Sequence, residues 1–118
     1  MNHGEKAVDF FCKGFNCAQS TAAAFAEEAG IDEKTICTMM AGFGGGVGGS
    51  REMCGAATGM VWALGLFFGD YDPHDTEAKT RLYRTVREGI HEFTELFGTT
   101  CCRELLTKAG CLPKPDPS

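Results

Sequence analysis

The stretch Gly42-Phe43-Gly44-Gly45-Gly46-Val47-Gly48-Gly49 places six glycines in eight residues. Glycine loses more backbone freedom on ordering than any other residue, so this run cannot hold a helix and is a loop. Around it the chain reads as helix, turn, helix. The first helix is expected from about Gly4 to Lys13, with Ala7, Val8, Phe10 and Phe11 as its apolar surface and Gly14 at its end. Asn16-Cys17-Ala18-Gln19 then forms a capping box, in which Asn16 takes orphan amides and Gln19 reaches back. Ala18, Ala22, Phe25 and Ala29 follow on one helix face. Gly30 is a left-handed stop, with Ile31 as the apolar residue after it.

Asp32 is expected to cap a third helix ending near Ala41. Ser50 is expected to open a fourth, apolar helix that ends near Gly69. Asp72-Pro73 combines an N-cap with proline at the first helical position. Leu82, Val86, Ile90, Phe93 and Phe97 then form a stripe on a long amphipathic helix closed by Gly98. Thr99 or Thr100 caps a last helix, Cys101 to Ala109. No segment alternates with period two. The expected fold is all-α, a compact bundle of about five to six helices around the hydrophobic fourth helix. It is one domain over residues 1–111 with a proline-rich tail, 112–118.

A chain of 118 residues buries roughly two-thirds of its unfolded surface and needs no staple. Its net charge of −5 lacks the clustered Lys and Arg that nucleic acid requires. The opening Met1-Asn2-His3-Gly4-Glu5-Lys6 has no secretory pattern. Met53 to Gly69 is uncharged, but it is near the short limit for a bilayer span and carries four glycines, so no membrane insertion is expected. A cytoplasmic location follows as an expectation, and a homo-oligomer is compatible with the apolar helices.

Seven cysteines are the chemical outlier. Their odd number without an export signal argues for metal-binding, catalytic or buried thiols over a disulfide framework. On the helix map, Cys17 starts its helix, Cys54 lies about one turn into the fourth, and Cys102 lies in the first turn of the last. Free amides and the positive end of the helix dipole meet there and favour a thiolate. Cys12 and Cys37 fall among apolar neighbours and are expected to pack in the core. Cys101, beside Cys102, is a spare or resolving thiol. Glycines four apart in Cys54-Gly55-Ala56-Ala57-Thr58-Gly59 imply close approach, either of a cofactor or of another helix backbone.

The segments Gly14-Phe15-Asn16-Cys17-Ala18-Gln19, Gly42 to Gly49, Cys54-Gly55-Ala56-Ala57-Thr58-Gly59 and Cys102-Arg103-Glu104-Leu105-Leu106 resemble the C-GCAxxG-C-C family of redox-active proteins. The resemblance covers nearly the whole chain. It matches the family's four cysteines to Cys17, Cys54, Cys102 and Cys111, and it implies redox or cofactor chemistry. Related sequences include split-Soret cytochromes. The absence of Cys-x-x-Cys-His means that no c-type haem is expected.

Three readings remain open from the residues. In the first, Cys17, Cys54, Cys102 and Cys111 hold an iron–sulfur cluster or another thiolate-bound metal, passing electrons to a redox partner protein. In the second, Cys54 is a nucleophile and Cys17 or Cys102 resolves the mixed disulfide. In the third, the thiols only pack, within a non-enzymatic oligomeric adaptor. Gly44, Gly45, Gly46, Gly55 and Gly59 are the candidate cofactor contacts; the loop's amides can face an anion. The loop's formal Gly44-x-Gly46-x-x-Gly49 match has no preceding strand, so a dinucleotide site is rejected. Arg51 and Arg103 lie near helix-start cysteines, where a cation lowers a thiol pKa. His3 is expected to be disordered, His74 to lie in an exposed first helical turn, and His91 on a solvated face.

Overall fold

The computed structural model describes residues 1–110; Cys111 and the tail 112–118 lie outside the described residues. Among the described residues seven α-helices form: α1 (His3–Cys12), α2 (Cys17–Ala23), α3 (Ala26–Ala29), α4 (Glu33–Met40), α5 (Gly55–Phe68), α6 (Thr76–Phe97) and α7 (Cys102–Lys108). A 3₁₀ turn, Ala41–Phe43, follows α4. Among the described residues there is no strand, only an antiparallel bridge between Met53 and Cys101. The fold is all-α, and among the described residues no helix is long and apolar enough to cross a membrane.

Side-chain caps set most helix starts. Asn2 opens α1 through a capping box with Glu5, and Asn16 opens α2 through the expected box with Gln19. Asp32 caps α4. Gly30 takes the left-handed conformation after α3, and the Ile31 N–H closes back on the Ala26 carbonyl at 3.3 Å. The continuous helix expected from Cys17 to Ala29 is broken between Ala23 and Ala26.

Three boundaries differ from expectation. His3, expected to be disordered, is the first residue of α1; its ring stacks on Phe25 at 4.2 Å and pairs with Glu28. The apolar helix begins at Gly55 and not near Ser50, because residues 51–54 are engaged by the start of α7. The long helix begins one turn late. Asp72 accepts from the His74 and Asp75 backbone N–H groups in a turn, leaving His74 outside the helix, and Asp75 is the cap of α6.

The buried cluster is Phe10, Ala18, Ala22, Ala23, Ile36, Cys37 and Met40, drawn from α1, α2 and α4. Burying a side chain such as Ile36 contributes roughly 1.5–3 kcal/mol. Cys37 packs in this core as expected, whereas Cys12, on the last turn of α1, is exposed. Helix α5 lies between α2 and α6. It meets α2 through Gly55 and Gly59, and its buried positions are Gly55, Ala57, Gly59 and Ala63.

Candidate functional site

The start of α5 and the start of α7 are tied by backbone. The Cys54 N–H donates to the Thr100 carbonyl at 2.7 Å, the Cys102 N–H to Glu52, and the Arg103 N–H to Arg51 at 3.2 Å. This pairing diverts residues 51–54 from the helix that follows. Cys54 thereby becomes the N-cap residue of α5, and Cys101 holds the same position on α7.

The start of α2 is brought in by Gly55. A Cβ at Gly55 would stand 2.6 Å from the Ala18 nitrogen and 3.0 Å from the Cys17 Cβ. At Gly59 it would meet Thr21 at 2.7 Å. Of the two sources of close approach expected for these glycines, the α2 helix is present against both.

The glycine loop folds back over the same region. Gly45, Gly46, Gly48 and Gly49 have positive φ, and so do Val47 and Arg51. The Arg51 and Glu52 N–H groups donate to the Gly45 and Gly46 carbonyls at 2.9 and 2.8 Å. Gly46 packs so tightly that an added Cβ would lie 2.6 Å from the Cys102 Cβ and 2.7 Å from the Glu52 nitrogen. Gly44 touches Asn16, whose Nδ2 donates to the Ala41 carbonyl at 3.2 Å. The loop is thus a packed bracket between the starts of α2 and α7.

Cys17, Cys54 and Cys102 therefore share one end of the molecule. Their coupling is electrostatic as well as spatial: Cys17 is exposed as a residue, but desolvation of its sulfur by the surrounding atoms pushes the thiol up, and the charges of Cys54 and Cys102 push it further. A hydrogen bond from the Cys17 backbone N–H opposes this with a smaller effect. The expectation that this helix start favours a thiolate at Cys17 is overturned. Desolvation and then two neighbouring sulfurs raise the thiol, although Cys17 is the first residue of α2. Cys37 is also raised, by burial and then by Glu33.

Arg51 is 5% exposed, and its Nη1 donates to the Cys102 sulfur at 3.8 Å. The Cys101 thiol points elsewhere, donating to the Arg51 carbonyl at 3.6 Å. Arg103 is exposed. Sequence proximity could nominate both arginines, but only folding distinguishes the buried one. The left-handed backbone of Arg51 (φ 62°) had no sequence signal, since that region is rare for a residue with a Cβ. The six cysteines among the described residues are free thiols. Among those residues, no group of three or more His, Cys, Asp or Glu side chains is arranged to hold a metal ion.

The model of the family described as "Putative redox-active protein (C_GCAxxG_C_C)" matches residues 15–117. An uncharacterized protein of Archaeoglobus fulgidus is 30% identical over 116 residues, covering 89% of this chain and 77% of the relative. No solved structure matches. With nearly the whole chain matched, from the residue before the Asn16 cap through the third clustered cysteine, the protein belongs to the C_GCAxxG_C_C family.

Proposed function

We propose that this protein is a thiol–disulfide redox protein whose reacting groups are drawn from Cys17, Cys54 and Cys102. The observation that carries the reading is the gathering of three free thiols, one of them hydrogen-bonded by a buried guanidinium. Exchange begins when a thiolate attacks a disulfide of a partner protein or small molecule. The Cys102 sulfur is assigned this step, because Arg51 supplies a positive charge beside the anion that exchange creates. A bond forms from Cys102 to one partner sulfur, and the other partner sulfur leaves as a thiolate. Cys17, held as a neutral thiol, gives up its proton to the partner thiolate just released and attacks the Cys102 sulfur. The partner's second sulfur leaves, so the partner gains two electrons and this chain holds one disulfide. This revises the role of Cys54, which the sequence had nominated as nucleophile; it stands beside the pair as the alternative resolver.

A thiolate-bound metal is the second reading, favoured by one observation: a dithiol needs two sulfurs, and three converge. Cys17, Cys54 and Cys102 would hold it, with Cys111 as the fourth ligand expected from the family. The donors have the right softness, but the described residues lack a metal-holding arrangement, so no step is derived through it.

The test treats reduced protein with glutathione disulfide and maps the products by mass spectrometry. One reversible disulfide within the trio is expected, with a mixed disulfide on Cys102 accumulating when Cys17→Ser and Cys54→Ser are combined. Oxidised protein in which all three thiols still alkylate refutes the reading. Anaerobic iron titration that blocks alkylation of all three selects the metal instead.

A further inference from the structure

Gln19 does more than complete the capping box that opens α2. It is half-buried, and both ends of its side-chain amide are used. Its Oε1 accepts from the Asn16 backbone N–H at 3.0 Å, which closes the box. Its Nε2 donates to the Cys37 carbonyl at 2.8 Å. That carbonyl lies in the last turn of α4, where a helix runs out of its own donors. The Ala41 N–H, which a continuing α-helix would aim at Cys37, turns instead to the Thr38 carbonyl. Asn16 is used in the same double way. Its Oδ1 accepts from the Gln19 N–H at 2.8 Å, while its Nδ2 donates to the Ala41 carbonyl at 3.2 Å. Two side chains thus cap the start of α2 and the end of α4 together. A capping box takes either glutamate or glutamine at this position. Only the amide can accept from Asn16 and donate to Cys37 at once, because an ionised carboxylate has no donor.

Cys17 lies between these two residues in the chain. Helix α4, to which they are tied, is itself anchored, since Ile36, Cys37 and Met40 are buried in the core. On the other side α5 approaches so closely that a Cβ at Gly55 would stand 3.0 Å from the Cys17 Cβ. The glycine loop links the same helix start to the second sulfur, with Gly44 against Asn16 and Gly46 against Cys102. We propose that Gln19 is a positioning residue, whose bond to the Cys37 carbonyl holds Cys17 where it can pair with Cys102. The inference rests on the thiol–disulfide reading above. A disulfide needs its two Cβ atoms about 3.5–4.5 Å apart. A misplacement on the order of 1 Å can cost about 100-fold in a reaction that depends on position.

Equilibrating the full chain with reduced and oxidised glutathione tests this, with the Cys17–Cys102 bond read by mass spectrometry. That bond forms as the glutathione S–S bond breaks, and two electrons and two protons pass to two glutathione thiols. Reduced and oxidised chains are both folded, so a contact that only stabilises the fold leaves the exchange constant unchanged. Gln19→Glu keeps the acceptor and loses the donor at neutral pH, and Gln19→Met loses both without adding charge. Each is expected to lower the constant on the order of 10-fold, with the helix content of the wild type by circular dichroism. Asp32→Ala removes the cap at the far end of α4. It is expected to lower stability in urea and leave the constant at the wild-type value. Either Gln19 variant with a wild-type constant overturns the inference, as does an Asp32→Ala chain whose constant falls as far. Gln19 variants that lose helix content assign the residue to the fold alone and overturn it too. A wild type that forms no disulfide within the trio refutes the redox reading itself, and the inference falls with it.

Discussion

Replacing Gly59 by alanine sets two physical effects against each other. Helix propensity alone favours the change, because alanine in a helix interior is about 1 kcal/mol better than glycine. Packing opposes it. The new methyl would lie 2.7 Å from the Thr21 Cβ, 2.9 Å from its Cγ2 and 3.3 Å from the Ala18 carbonyl oxygen. Ordinary contact begins near 3.4 Å, so α2 must retreat from α5 by about 0.7 Å, the shortfall at the closest atom. The neighbours Ala18, Ala22 and Ala57 are fully buried, which leaves no slack to absorb the shift. Overpacking of this kind costs roughly 1–3 kcal/mol, and occupies the upper part of that range when backbone must move. The expected net effect is a loss of about 1–2 kcal/mol, or a fall in Tm on the order of 4–8 °C. Gly65 calibrates propensity, since an added Cβ there meets nothing within 4 Å of the chain; Gly65→Ala should gain about 0.5–1 kcal/mol. Urea unfolding followed by circular dichroism at one protein concentration reads both. Gly59→Ala at or above wild-type stability would refute the account of α5 docking through its glycines.

Other perturbations address the site itself. Gly46→Ala drives a methyl into Cys102 and the Glu52 backbone and should abolish the disulfide formed with glutathione. Gly48→Ala, with nothing nearer than 4.0 Å, should keep that disulfide and lose only about 1–2 kcal/mol to left-handed strain. Asn16→Ala removes the α2 cap and the tie to Ala41 and should cost about 1–2 kcal/mol of stability in denaturant titration. Because desolvation, Cys54 and Cys102 raise the Cys17 pKa, its iodoacetamide alkylation should develop at higher pH than that of an unfolded control. Replacing both neighbours with serine should bring that pH part of the way down. By linkage, the group's stabilisation is complete below the unfolded cysteine pKa and disappears as pH rises through the raised native value. A Cys17 that alkylates at lower pH than the unfolded control would contradict the electrostatic account.

Local chemistry determined much of this protein by itself. The Asn16–Gln19 box, the Asp32 cap, the Gly30 and Gly98 stops and the absence of strand periodicity each concern residues a few positions apart, so one sequence suffices to read them. The glycine run could be recognised as a loop because six glycines cannot hold a helix, and the Gly55–Gly59 spacing announced a close neighbour. Tertiary structure alone decided where the sulfurs meet. The start of α5 moved from Ser50 to Gly55 because Thr100 and Cys102, some fifty residues away, claim the backbone of residues 52–54. The same long-range pairing buries Arg51 against Cys102, and desolvation together with two other sulfurs reverses the expected shift at Cys17. Charge and desolvation act through space, and their sign at a thiol follows from what folding places beside it.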